Sequence, residues 1–307
     1  MTECPLCTTP TDRVLTRTLR RGTGTVFHCE ACDVGFLVAP KVDARGLYDG
    51  VYRQHASHYA DGRATNPQEI FDAYSCYQAE RVRAVADYVK PICSILEIGA
   101  SAGQFLAHFN HVGRCAIELD SACCAFMEAM GIDTDSNFLR ESKFAGDKFD
   151  IVCSFQTLEH VADPIAFLKD VRSVMAPGGV AFIEVPNLHE PLLDVWNIPE
   201  YVPFYFHSDH LWYFSAGTLK RLAVRAGFYS PEVRFTQDYT LLSHLHWLMN
   251  KGPQDTCHPG LGPVGFDGKD KEISGWLSER LADLNAEYVN KLVSAGKTAN
   301  LMLVLTT

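Results

Sequence analysis

Residues 94–103 read Ser-Ile-Leu-Glu-Ile-Gly-Ala-Ser-Ala-Gly, and this stretch decides the fold. From Cys93 to Ile98 the chain is apolar apart from Ser94 and Glu97, the length of a strand buried in a parallel sheet. Five small residues, Gly99 to Gly103, follow, and Phe105, Leu106 and Phe109 then fall on one side of a helix. Strand, small-residue turn and helix open a nucleotide-binding βαβ unit, whose ligand lies against backbone N–H groups at a helix N-terminus. A dinucleotide turn requires G-x-G-x-x-G, with the second Gly admitting the pyrophosphate. The spacing here is E-x-G-x-x-x-G, on Glu97, Gly99 and Gly103. A carboxylate at the strand end repels phosphate and suits a cationic ligand. An oxidoreductase using NAD is the rival that this spacing disfavours.

The chain downstream keeps the alternation of strand and helix. Cys115–Leu119 is a second strand ending in Glu118-Leu119-Asp120, and Ile132–Thr134 a third. Phe149–Phe155 (FDIVCSF) is a fourth, followed by Gln156-Thr157-Leu158-Glu159-His160-Val161. Asp163 caps a helix with Pro164 at its first position. Pro177-Gly178-Gly179 turns into a fifth strand, Val180–Val185. Together, FDIV, LEHVADP and MAPGGVAFIEVPN at this distance from the glycine turn resemble class I S-adenosylmethionine-dependent methyltransferases acting on small molecules. The resemblance covers about residues 70–230. It implies an α/β fold, a seven-stranded Rossmann-like sheet, with S-adenosylmethionine as cofactor. Carried onto this chain, it places Glu97, Gly99, Ala100, Ser101 and Gly103 at the cofactor turn. Glu118 sits where an acidic side chain accepts two hydrogen bonds from ribose hydroxyls. Leu119 packs on the adenine face, Asn137 and Phe138 fall where the family contacts adenine, and Gln156 faces the methionine part or the acceptor.

Methyl transfer from a sulfonium is an in-line displacement, in which the protein aligns the reactants and a base takes the acceptor's proton. His160, just past the fourth strand, is the first candidate base. The competing reading is that Glu159 and His160 only shape their loop. His207 and His210 are alternative bases, in a segment crowded with Trp196, Tyr201, Phe204, Tyr205, Asp209, Trp212 and Tyr213. Aromatic walls with imidazoles and carboxylates suit a polar ring such as a sugar. His207, Asp209 and His210 also have the chemistry for a divalent ion, although metal-dependent relatives usually carry a clearer acidic set.

Residues 1–40 read as a zinc ribbon. Cys4-Pro-Leu-Cys7 and Cys29-Glu-Ala-Cys32 are two CxxC knuckles around a hairpin from Val14–Leu19 and Thr25–His28. Four thiolates from two tight turns make a tetrahedral structural Zn²⁺ site, and metal binding stabilises a segment too small for its own core. An N-terminal CxxC pair before this catalytic core resembles sugar methyltransferases of deoxysugar, antibiotic and surface-polysaccharide biosynthesis. The C-methylating members carry a further C-terminal domain, so the expected reaction is O- or N-methylation.

Residues 41–90 read as a linker and helical lead-in over the cofactor pocket. The resemblance places Tyr48, Tyr52, Tyr59 or Tyr74 near cofactor or acceptor, against the plainer reading of an aromatic core stripe. His55 and His58 read as surface residues. Residues 91–307 form the methyltransferase domain, with Phe228–Tyr239 and Ala299–Leu305 as its last strands. A helical insertion at about 241–298 caps the pocket or forms a dimer face; the expected state is monomer or homodimer. The net charge of −10 argues against nucleic acid. No long apolar run or signal pattern is present, so the expectation is a cytoplasmic enzyme without a membrane partner. Cysteines outside the knuckles scatter through strands and helices, as in a reduced compartment. The acceptor is expected to be a small molecule. A protein recruited by the ribbon and a non-catalytic cofactor-binding scaffold are the alternatives.

Overall fold

The computed structural model describes residues 1–20, 22–38, 66–254 and 265–307. Tyr48, Tyr52, His55, His58, Tyr59 and Cys257 lie outside the described residues. In chain order the strands are β1 (Thr2–Glu3), β2 (Pro10–Thr11), β3 (Val14–Thr16), β4 (Thr25–Cys29), β5 (Val34–Val38), β6 (Ser94–Ile98), β7 (Gly113–Ile117), β8 (Asp133–Asp135), β9 (Phe149–Phe155), β10 (Met175–Pro186), β11 (Trp212–Phe214), β12 (Glu232–Thr236) and β13 (Asn300–Thr306). The main sheet has the order β12-β13-β10-β9-β6-β7-β8. β6 pairs in parallel with both β7 and β9, while β13 runs antiparallel between β10 and β12. This is the seven-stranded Rossmann-like arrangement expected from the sequence. Helices on both faces bury the near-continuous apolar runs of β6, β9 and β10.

Two elements differ locally from the sequence reading. The pattern after Gly103 is only a 3₁₀ turn, Leu106–Phe109, although Phe105, Leu106 and Phe109 are all buried as their spacing implies. β12 is shorter than the expected Phe228–Tyr239. Pro231 has no N–H for the ladder, and beyond Thr236 side chains take over the pairing. Gln237 Oε1 accepts from the Ala299 N–H at 2.8 Å, and Asn300 Nδ2 donates to Asp238 at 2.6 Å.

Helix ends follow their caps. Asp163 Oδ1 accepts from the N–H groups of Ile165 and Ala166 at 3.1 and 2.9 Å, opening the Pro164–Val174 helix. Asp163→Ala is expected to cost about 1 kcal/mol, read from urea unfolding; no loss would remove the cap from the account of this helix. Asn66 and Glu69 form a reciprocal capping box at the Pro67–Tyr74 helix. The lead-in then breaks at Ser75–Tyr77, where the Ser75 hydroxyl bonds back to the Phe71 carbonyl at 2.6 Å, before the Gln78–Ala86 helix. In the 241–298 stretch the described helices are Leu241–Asn250 and Lys271–Ala295. No helix among the described residues is long and apolar enough to cross a membrane.

The N-terminal sheet has the order β11-β5-β4-β3. β5, next to the second cysteine knuckle, pairs with Trp212–Phe214 from the far half of the chain. Thr218 and Arg221 of the Ala216–Arg225 helix donate to the Cys32 carbonyl. The cysteine segment is thus welded to the loop after β10, and this pairing brings Arg20 to the edge of the site.

Candidate active site

β6 sits where the strand order reverses, and open α/β sheets bind ligands at the carboxyl ends of the strands at that point. A cavity of about 840 Å³ lies there, toward the upper end of ordinary ligand pockets. Its first half is built on three strand ends. Gly99, Ala100 and Ser101 follow β6, Glu118 and Leu119 follow β7, and Gln156 follows β9; all line the cavity together with Glu97 and Phe138. Gly103 and Asn137 do not line it. Gly103 has φ +80°, and a Cβ there would meet Met127 at 2.8 Å, so it serves close packing of the turn. The Asn137 backbone and side chain both donate to Asp135 Oδ1.

Glu118 ties two loops together. Its carboxylate accepts from the Ser101 N–H at 2.7 Å and from the Asp120 N–H at 2.9 Å. Burial pushes its pKa up to about 7, against the lowering effect of those backbone hydrogen bonds. Ser101 and Gln156 both hold left-handed backbone, with φ +52° and +53°. Such strain in non-glycine residues collects at functional sites. Gly99 has φ +78°, and a Cβ there would lie 2.3 Å from Thr157 Oγ1. Gly99→Ala is therefore expected to cost about 2 kcal/mol in stability and to weaken S-adenosylhomocysteine binding. Calorimetry showing wild-type affinity would move the ligand away from this turn.

Beneath the turn lies a charge network that the sequence reading missed. Arg81 donates to Glu184 Oε1 through Nε at 2.9 Å and Nη2 at 2.6 Å, and the Glu184 side chain is fully buried. Gln156 Nε2 donates to the same oxygen at 3.1 Å and to Asn300 at 3.2 Å. Asp238 completes the chain through Asn300. Burial, reinforced by Glu184, pushes Asp238 up to about 7. Burial also raises Glu97 well above its ordinary value, although the Arg81 charge opposes this. Glu97, Glu184 and Asp238 thus gather around a single guanidinium, and of the three only Glu184 accepts hydrogen bonds from it. Glu184 left a signal in the sequence, a lone carboxylate within an apolar strand. Arg81 and Asp238 left none.

The second half of the cavity is walled by Tyr201, Phe204, Tyr205, His207 and His210, by His160 from the loop after β9, and by Tyr74 from the lead-in. Arg20 closes it from the cysteine segment, with its guanidinium carbon 4.5 Å from the Phe204 ring centroid. His160 Nδ1–H donates to the Asp209 carbonyl at 2.7 Å, which fixes the orientation of the ring. Burial, helped by the charge of His207, brings His160 down to about 4. Burial, with the nearby charges of His207, His160 and Arg20, also lowers His210 well below its ordinary value. The His207 ring lies against His210, tilted by 49° with centroids 3.6 Å apart, and its Nδ1 is 3.9 Å from the Asp209 carboxylate. The three histidines named from sequence therefore meet on one wall. Of the aromatics named with them, Trp196 is instead 38% exposed and bonded to Tyr288, while Tyr213 is buried and exchanges hydrogen bonds with the His207 backbone.

Away from the cavity, the Sγ atoms of Cys4, Cys7, Cys29 and Cys32 lie within 4.8 Å of one another. Each knuckle turns on a left-handed residue after its second cysteine, Thr8 at φ +61° and Asp33 at +52°. The two turns are thus built alike, and they aim four thiols at one point.

A family model described as a methyltransferase domain matches residues 53–231, more than half of the chain. A ubiquinone biosynthesis O-methyltransferase of Parvibaculum lavamentivorans is 32% identical over 100 residues, covering 30% of this chain and 40% of that protein. Its namesake from Cereibacter sphaeroides is 29% identical over 101 residues, covering 30% and 41%. The match thus spans about two fifths of the length of these curated relatives. Among solved structures, phosphoethanolamine N-methyltransferase 2 of Haemonchus contortus, in complex with S-adenosyl-L-methionine, aligns at TM-score 0.50 and 12% identity. The alignment covers 94% of this chain and 70% of that one, and it speaks to the fold alone. With the family model across the glycine turn, Glu118 and the LEHV loop, the chain belongs to the family of the methyltransferase domain, with the class I fold.

Proposed function

We propose that this enzyme methylates a hydroxyl on a small ring-shaped acceptor, a sugar or nucleotide sugar. The observation that carries the reading is the single cavity joining the Gly99–Glu118 half to the histidine and aromatic half. Bound S-adenosylmethionine supplies an electrophilic methyl carbon. Glu118 accepts from the ribose hydroxyls, Leu119 and Phe138 flank the adenine, and the Gly99–Ser101 turn lets the ligand approach the backbone. Glu184 is paired with Arg81, while burial raises Glu97 and Asp238, so a cationic ligand beside them favours their ionised forms. Tyr201, Phe204 and Tyr205 hold the acceptor ring. His160 and His210 are weak bases in this burial, so His207, backed by the Asp209 carboxylate, takes the hydroxyl proton.

A phenolic acceptor is the second reading. The aromatic wall and Arg20 favour it, as does the name of the curated relatives. The test is acceptor-dependent release of S-adenosylhomocysteine on nucleotide sugars, free sugars and small phenols. Turnover on sugars supports the first reading, and turnover on phenols alone replaces it with the second.

We further propose that the four cysteines hold a structural zinc ion. A tetrahedron with Zn–S bonds of about 2.3 Å has edges of about 3.8 Å, and Cys7 and Cys29 Sγ stand 3.6 Å apart. The donor set is all sulfur and closed, so the site suits a structural role.

A further inference from the structure

We propose a second cation site, in which Glu159, His160 and His210 bind a divalent first-row metal ion through one carboxylate oxygen and two imidazole nitrogens. The three side chains offer one ligand atom each, all within 4.8 Å of one another. Nε2 of His160 and Nε2 of His210 stand 3.9 and 3.8 Å from the same oxygen, Glu159 Oε1. Ligand bonds of about 2.1 Å place donor atoms roughly 3.0–3.4 Å apart, so the triad closes with side-chain shifts of under about 1 Å. The rings of His160 and His210 are nearly perpendicular, at 84°, which lets both nitrogens converge on a point between them.

Two independent observations point to a ligand. Glu159 is fully buried, yet neither carboxylate oxygen has a hydrogen-bond partner among the described residues. An ionised carboxylate buried without a partner is costly, so Glu159 calls for either a proton or a cation at these oxygens. The other nitrogen of His160 donates to the Asp209 carbonyl. That is the outer contact that fixes a ligating imidazole and presents its remaining nitrogen to a metal. Two imidazoles and a carboxylate suit Mn²⁺, Fe²⁺, Co²⁺ or Zn²⁺ better than a hard cation that wants only oxygen. Arg20 adds positive charge to this wall, and Asp209 offsets it.

The inference deepens the acceptor reading above and rests on it for its role. His160 and His210 line the cavity while Glu159 lies behind them, so the open coordination positions face the acceptor. An acceptor hydroxyl ligated there loses its proton to His207. Its oxygen forms the bond to the methyl carbon, the carbon–sulfur bond breaks, and that electron pair stays on sulfur as the sulfonium becomes a thioether. A cation opposite Glu159 favours a hydroxyl over an amine that is protonated at neutral pH.

The test is titration of zinc-loaded enzyme with Mn²⁺, followed by loss of the free-ion EPR signal, and with Co²⁺, followed by calorimetry. One ion per chain is expected beyond the cysteine site. Glu159→Gln and His210→Gln are each expected to weaken that binding at least tenfold and to leave S-adenosylhomocysteine affinity unchanged, which certifies the fold. Absence of binding by both ions, or binding unaltered in both variants, overturns the proposal. Ion binding lost in the variants, with no turnover on any hydroxyl acceptor, keeps the site and sinks the acceptor reading instead.

Discussion

Glu118→Ala is expected to weaken S-adenosylhomocysteine binding by at least about 100-fold. Two hydrogen bonds from ribose hydroxyls to a carboxylate contribute roughly 1.5–3 kcal/mol each, and every 1.4 kcal/mol is about tenfold in affinity. The substitution also releases the N–H groups of Ser101 and Asp120, which Glu118 holds in place. The same residue sets a pH dependence. In the empty protein burial raises its pKa to about 7, above the ordinary carboxylate value. The folded state therefore holds more protons than the unfolded chain between the ordinary value and about 7, and this group's contribution to stability is lost as pH rises through that window. Ligand binding runs the other way, because ribose hydroxyls donate more strongly to the ionised carboxylate, both of whose oxygens accept. Affinity should fall by up to about tenfold per pH unit below 7 and level off above it. Calorimetry across pH 5.5–8.5 on wild type and Glu118→Ala checks both points. A slope that persists in the variant assigns it to another group, with Asp238 the first alternative.

Cys29→Ala is expected to abolish stoichiometric zinc and to unfold the N-terminal sheet. Cys29 ends β4 and is fully buried beside Cys4 and Cys32. Cys7 and Cys29 Sγ stand 3.6 Å apart, and without a cation the four cysteines have little to hold them together. Structural zinc in such sites contributes about 10–16 kcal/mol of binding free energy that is also folding free energy. β5 pairs with β11, and β11 follows directly on the loop carrying His207 and His210. Loss of the metal should therefore reach the acceptor wall as well as the termini. Metal analysis, hydrogen exchange at residues 25–38 and 207–214, and turnover form one experiment. A zinc-free variant with native protection in both segments would leave the cysteines without a structural role.

The catalytic architecture was legible because its signals are local. Buried parallel strands read as apolar runs, and a turn that takes a ligand against its backbone needs small residues at set positions. Gly99, Glu118 and the loop at His160 could each be found from a few neighbouring letters. The lone Glu184 in VAFIEV was equally visible, but its meaning depended on Arg81, a hundred residues earlier, and no spacing rule links them. His207 and His210 could be named from sequence because they fall in a short segment crowded with aromatic and polar side chains. That they share a wall with His160 follows from hydrogen bonds that stitch residues 209–212 to residues 159–161, such as the Leu211 N–H to the Glu159 carbonyl at 2.8 Å. The short β12 was hidden for a related reason: Gln237 and Asp238 look like strand residues until their side chains are seen to replace the ladder.

By itself the sequence determined the α/β class, the small-residue turn after β6, the carboxylate after β7 and the four-cysteine cluster, since each depends on contacts within one turn or between adjacent elements. Only the tertiary structure decided that β11 completes the cysteine sheet, that Arg81 answers Glu184, and that Glu159 is left unpaired between two histidines. Those facts depend on which distant segments the folded core brings within a few ångströms, and side-chain spacing along one strand or helix carries no record of that.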